Sequence, residues 1–192
     1  MIVCVSSWNQ EDQKAVSYRK AEGIDLEELR SITSRFGEIN REKARDAGYE
    51  VLPGDAWLEQ EVDVLIPAAI ENQIRADNVD QIHHRVKILA EGANGPTTID
   101  ADTILKKREV FILPDILANA GGVICSYFEQ VQSNENYYWQ KDEVLGQLDV
   151  KMSSAFMEVC TFAREHGFSL RDAAYMIGVE KAEYVNQKIA QF

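Results

Sequence analysis

The chain opens on "MIVCVS", a continuous apolar run that predicts a strand buried on both faces of a sheet. The segment from Ser7 to Glu22 is polar and predicts a loop. Asp25, with Glu28 three residues on, has the spacing of a capping box and predicts a helix from Leu26 to Phe36. Beyond it the apolar runs "YEVL", "VDVLIPA", "VKILAEGA" and "VFILPDI" alternate with helical pieces such as "ADTILKKR". Strands alternating with helices imply crossover connections and a parallel sheet with both faces covered. After Asn119 the strand signal stops. Val144, Leu145, Leu148, Met152, Ala155, Phe156, Val159 and Ala163 keep a helical period from Asp142 to His166, and Gly167 is placed to close that helix. Ser169 caps a last helix with Ala173, Met176, Val179, Ala182, Val185 and Ile189 along one face.

The expected architecture is an α/β domain over residues 1–118 followed by a helical segment over 119–192. A chain of 192 residues is long enough for both. Its 20 Lys+Arg against 32 Asp+Glu give a net charge of −12 with no basic cluster, which argues against a nucleic acid or an anionic membrane as partner. Cys4, Cys125 and Cys160 are an odd number without metal-type spacing, the pattern of reduced thiols in a cytoplasmic protein. No spacing of His, Cys or carboxylates supports a metal site. The longest apolar run, around Val62 to Ile70, is too short to span a bilayer.

In open parallel sheets, ligands bind beyond the carboxyl ends of the strands. Three segments here leave such ends: "PAAIENQI", "EGANGPTT" and "PDILANAGGV". They place Asn72, Gln73, Asn94 and Asn119 within reach of one crevice, and a neutral amide both donates and accepts hydrogen bonds. The same residue types are common in plain turns, and Glu91 reads equally well as a local hydrogen-bond partner. Gly121 and Gly122 allow two readings. They either admit a ligand to the start of a helix, with Ser126 one turn further on as a hydroxyl donor, or let helices pack closely.

Taken together, "DVLIPAAIENQI", "ILAEGANGPTT", "PDILANAGGVICSYFEQVQ", "YYW" and "LRDAAYM" resemble the C-terminal part of a glutamate dehydrogenase, within the Glu/Leu/Phe/Val dehydrogenase family. The resemblance implies a partial Rossmann-type, doubly wound and mostly parallel sheet followed by a C-terminal helical lobe. It also implies NAD or NADP as cofactor and hydride transfer that interconverts L-glutamate with 2-oxoglutarate and ammonia. By the same resemblance Ala69 and Asn72 border the ribose and nicotinamide, Asn94 meets the carboxamide, and Asn119, Gly122 and Val123 line the cleft beside the reacting carbon. Ser126 is expected to hydrogen-bond the distal carboxylate of the substrate, whereas relatives acting on aliphatic or aromatic side chains carry another residue there.

The sequence also departs from the family pattern. Ser7 stands where the family commonly has an Asp facing the adenosine ribose, which weakens the basis for choosing NAD over NADP. The catalytic lysine and aspartate of the family belong to an N-terminal domain, and its glycine-rich phosphate turn precedes the stretch matched by "MIVCVS". The resemblance therefore implies a sheet lacking its first strand and no catalytic residue within these 192 residues. Two readings follow. One is the cofactor-domain portion of a glutamate dehydrogenase, inactive alone. The other is a non-catalytic remnant that forms an oligomer or pairs with a complementary chain through open sheet edges. A fragment of a branched-chain or aromatic amino-acid dehydrogenase is a further alternative.

Overall fold

The structure is a computed structural model in which residues 1–189 are described. The chain divides into two compact units: residues 1–62 with 80–85, and residues 63–79 with 86–192. The junction expected at 118/119 falls inside the second unit.

The first unit holds strands β1 (Cys4–Asn9) and β2 (Lys14–Arg19), helices α1 (Leu26–Ser31) and α2 (Arg41–Asp46), and strand β3 (Glu50–Pro53). The strands form an antiparallel sheet in the order β1-β2-β3, with Cys4 opposite Arg19 and Arg19 opposite Glu50. This corrects two expectations. "MIVCVS" is not a doubly buried parallel strand, because Met1 is 93% exposed and the strand, at the edge of its sheet, begins only at Cys4. The polar segment after Ser7 is not all loop, because it contains β2, whose Val16 and Tyr18 are buried. The turn between the two strands uses a left-handed Gln13, and the Asn9 side chain accepts from the Asp12 N–H at 2.8 Å.

Asp25 caps α1 as expected, accepting from the Glu28 N–H at 2.8 Å. Glu28 does not complete the capping box; its carboxylate takes the Lys20 ammonium at 2.7 Å and the Tyr49 hydroxyl at 3.3 Å. The helix ends at Ser31 rather than Phe36, where the Thr33 hydroxyl turns back onto the Leu29 carbonyl at 2.6 Å. Val16, Tyr18, Ile24, Ile32, Ile39, Ala44 and Tyr49 form the core of this unit.

In the second unit, β4 (Val64–Leu65), β5 (Ile88–Ala90) and β6 (Phe111–Leu113) make a parallel sheet in that order. Helix α3 (Ile99–Lys107), capped by Thr98, links β5 to β6. The in-register row Leu65–Leu89–Ile112 is buried, whereas Val64, Ile88 and Phe111, the row on the other face, keep 39–44% of their surface exposed. Cover on both faces was expected. The connection from β4 to β5 carries no α-helix that could lie on the second face.

Past β6 the unit is helical: α4 (Asp115–Ala118), α5 (Ala120–Glu135), α6 (Lys141–His166) and α7 (Leu170–Ile189). The long α6 follows the periodicity of its sequence and closes on Gly167, whose positive φ suits a residue without Cβ. Ser169 caps α7, accepting from the Asp172 N–H at 3.2 Å. Leu117, Val159, Ala163, Ala173, Ala174 and Ile177 form the helical core. The side chains of Val185 and Ile189, expected on the apolar face of α7, lie outside the described residues. All three cysteines are free and half-buried, and burial pushes the Cys4 thiol up to about 11. Among the described residues no helix is long and apolar enough to cross a membrane.

Candidate functional site

The three parallel strands end side by side, and short backbone hydrogen bonds hold together the loops that leave them. After β4, the Pro67 carbonyl accepts from the Gly92 and Ala93 N–H groups at 3.0 and 2.9 Å. A Cβ on Gly92 would lie 3.0 Å from that of Ala68, so this glycine lets the loops after β4 and β5 approach closely. The Asn72 N–H donates to the Gly95 carbonyl at 2.9 Å, with Asn72 and Gly95 both left-handed. Between these segments lies an open crevice of about 790 Å³, lined by Ala68 to Glu71, Gly92 to Asn94, Asn119 and Val123.

Asn119 joins α4 to α5. It sits at the N-cap of α5, yet its side chain makes no cap bond and instead donates from Nδ2 to Asn94 Oδ1 at 2.7 Å. That bond uses one acceptor of Asn94 and one donor of Asn119. It leaves an amide NH₂ on Asn94 and a carbonyl oxygen on Asn119, which together complement a ligand carrying one acceptor and one donor. The crevice is otherwise lined by small or apolar groups, with Glu71 the one titratable side chain among its described lining residues.

The glycines of "NAGGV" can now be told apart from packing glycines. A Cβ on Gly122 would meet nothing within 4 Å, and one on Gly121 would touch only Leu148 Cδ1 at an ordinary 3.8 Å. Close helix packing requires neither. Of the residues singled out from sequence, Ala69, Asn94, Asn119 and Val123 line one crevice. Gly122 is exposed beside Val123 at the start of α5, and the exposed Ser126 follows Val123 by three helical positions, outside the lining. Asn72 also lies outside the lining, tied to it through the Gly95 bond. Ser7 belongs to the first unit and lies within β1 rather than at a strand end, because pairing with β2 continues the strand to Asn9. Its hydroxyl donates to the Gly37 carbonyl at 3.0 Å and accepts from the Ile39 N–H at 3.3 Å.

Behind the crevice is an ionic cluster that the sequence reading did not assemble. Glu91, directly after β5, has no exposed surface. One of its oxygens accepts from Arg171 Nη2 at 2.7 Å and the other from the Asp115 N–H at 2.9 Å. Arg171, near the start of α7, also reaches Asp102 of α3 at 3.0 and 3.1 Å and Asp115 at 3.4 Å. Lys106 meets the other side of Asp102 at 2.7 Å. Burial works against the Arg171 charge, but hydrogen bonding to Glu91, its negative charge and that of Asp102 outweigh it and hold the guanidinium above its ordinary range. A trace of this cluster was visible in "LRDAAYM", but nothing local tied that motif to Glu91, 80 positions earlier.

Comparison with known proteins bears on the same segments. Residues 10–188 match the family model described as Glutamate/Leucine/Phenylalanine/Valine dehydrogenase. The chain is 43% identical over 161 residues to the catabolic NAD-specific glutamate dehydrogenase of Bacillus subtilis, covering 84% of this chain and 36% of that protein. Among solved structures, the glutamate dehydrogenase of Peptoniphilus asaccharolyticus superposes with a TM-score of 0.75 at 28% identity, over 100% of this chain and 41% of that one. The hetero-hexameric glutamate dehydrogenase of Thermus thermophilus gives a TM-score of 0.76 at 25% identity, over 86% of this chain and 37% of that one. The chain thus spans about two fifths or less of each relative. The likeness bears out the expected mixed α/β, partial Rossmann-type fold.

Proposed function

Because the chain belongs to the glutamate/leucine/phenylalanine/valine dehydrogenase family, we propose that its second unit supplies the nicotinamide-facing and substrate-facing side of a glutamate dehydrogenase. The observation that carries this reading is the Asn94–Asn119 pair, from the segments that follow the adjacent parallel strands β5 and β6. A nicotinamide carboxamide has one C=O and one NH₂, the complement of the groups this pair leaves free. A crevice of about 790 Å³ is large enough for that ring and the carbon facing it. Asn94 and Asn119 would hold the carboxamide of a bound NAD, which would supply the hydride acceptor for the α-carbon of glutamate. The name of the Bacillus subtilis relative favours NAD over NADP.

The residues of this chain have distinct parts in the proposal. Asn94 and Asn119 orient the carboxamide, Ala69 and Asn72 border the ribose, and Gly122 and Val123 clear space at the α-carbon. Ser7 is assigned to the adenosine side. It is uncharged and already engaged with Gly37 and Ile39, so it gives no charge-based selection between NAD and NADP. Ser126 is assigned to the distal carboxylate of glutamate, where a free hydroxyl would be penalised beside an aliphatic substrate. By likeness to the Thermus thermophilus enzyme, the working protein assembles as an oligomer.

Glu71 is the one titratable side chain among the described lining residues, and the resemblance assigns the lysine and aspartate of proton transfer to a domain of the family enzyme beyond the 36% of the Bacillus subtilis relative that this chain covers. With the phosphate turn of the family not among its motifs, the 192-residue polypeptide by itself is expected to hold NADH weakly, through the nicotinamide end, and not to reduce NAD in the presence of glutamate. Titration of NADH fluorescence and an absorbance assay for NADH formation check both parts. Glutamate-dependent turnover by this polypeptide would refute the division of labour. In a full-length family enzyme carrying this segment, Ser126→Ala is expected to raise the KM for glutamate about 10- to 100-fold while leaving the KM for NAD within about twofold. An unchanged glutamate KM rejects the assignment of Ser126.

A further inference from the structure

We propose that Arg171 is a positioning residue for the cofactor-facing amides, acting through Asp115 and Gly95; the proposal rests on the nicotinamide reading of the crevice. Arg171 does not line the crevice. Its influence runs through the carboxylates it gathers. It holds Glu91 at 2.7 Å, and the second oxygen of Glu91 takes the Asp115 N–H at 2.9 Å. It also approaches Asp115 Oδ1 directly at 3.4 Å. Asp115 Oδ2 in turn accepts from the Gly95 N–H at 2.9 Å, and the Gly95 carbonyl accepts from the Asn72 N–H at 2.9 Å.

One guanidinium from α7 therefore touches the segments after β5 and β6 directly and is linked to the loop after β4 only through Asp115, Gly95 and Asn72. Gly95 adopts φ +53°, and its neighbour Asn94 must stay in register with Asn119, 2.7 Å away. Asp115 is the one side chain that accepts from the Gly95 N–H, and it is placed by the Ile116 N–H at 2.8 Å on Oδ1, by Arg171 on the same oxygen and by Glu91 on its backbone N–H. The role requires the shape of arginine as well as its charge. Nε and Nη2 meet Asp102, Nη2 also meets Glu91, and Nη1 reaches Asp115, whereas a lysine offers all its donors from one atom.

A purely architectural role, docking α7, gives a different result in one experiment. Amide hydrogen exchange and NADH affinity are measured on the 192-residue chain and on its Arg171→Lys and Asp115→Ala variants. Exchange at Gly95 is expected to quicken about tenfold or more in both variants, while the core amides of Leu89 and Leu105 change by less than about twofold. The Kd for NADH is expected to rise about tenfold, the scale on which small misplacements of a binding group are felt. Equal quickening at Gly95, Leu89 and Leu105 in Arg171→Lys would reduce Arg171 to a docking residue and overturn the proposal. Wild-type behaviour of Gly95 in Asp115→Ala overturns it as well, even if Arg171→Lys does not fold. A wild-type chain that binds neither NADH nor nicotinamide mononucleotide, whose nicotinamide needs no phosphate turn for the adenosine half, rejects the nicotinamide reading, and the Gly95 exchange rates still decide the role of Arg171.

Discussion

Glu91→Ala is expected to destabilise the second unit by about 3–5 kcal/mol, the range for breaking a buried ion pair by removing one partner. The side chain has no exposed surface and serves two donors, Arg171 Nη2 and the Asp115 N–H. Alanine leaves both without that acceptor and opens a cavity beside the sheet. Glu91→Gln keeps the volume and one acceptor for the Asp115 N–H, so its cost is expected to be smaller, about 1–3 kcal/mol. Because the chain has two compact units, a single melting curve could mix them, and exchange of the Leu89 and Leu105 amides is the better gauge. A loss below about 1 kcal/mol for Glu91→Ala would show that water or Asp102 takes over its contacts.

The contrast between Glu91 and its surroundings shows what was legible in the sequence. Features set by spacing along the chain were readable. The bounds of α6, its Gly167 terminus, the Ser169 cap of α7 and the Asp25 cap of α1 all emerge from local periodicity and side-chain chemistry. The three parallel strands were likewise marked by apolar runs, although β4 is only two residues long. Features set by contacts across the chain were not readable. In β2 the alternating Val16 and Tyr18 stand out only once β1 and β3 are paired on either side, and the polar turn before it masked the hairpin. Arg171 lies 80, 69 and 56 positions from Glu91, Asp102 and Asp115, separations that no helical or strand period encodes. The amides lie between these cases. Their chemistry and their positions after strand ends were visible, but their pairing at 2.7 Å depends on Asn119 turning away from its own helix cap.

Gly122→Leu is expected to leave the fold intact and weaken NADH binding by about 100-fold or more, equivalent to about 2.7 kcal/mol. Helix propensity alone favours the substitution, since glycine inside a helix costs about 1 kcal/mol relative to good helix formers. The site adds no steric objection, because a Cβ at Gly122 meets no atom within 4 Å. A stability selection would therefore tend to replace this glycine. Gly122 follows the crevice-lining Asn119 by three positions, the spacing of one helix face, and donates its N–H to the Asn119 carbonyl at 3.4 Å, so a bulky side chain there is expected to crowd the space proposed for the nicotinamide and the α-carbon. Gly121→Ala is the matched control. Its Cβ makes only an ordinary contact with Leu148, and its effect on NADH affinity is expected to stay within about threefold. Exchange of the Leu89 and Leu105 amides and NADH titration of the two variants separate clearance from packing. A Gly122→Leu chain that unfolds like wild type and binds NADH as tightly would show that this glycine does not clear the crevice.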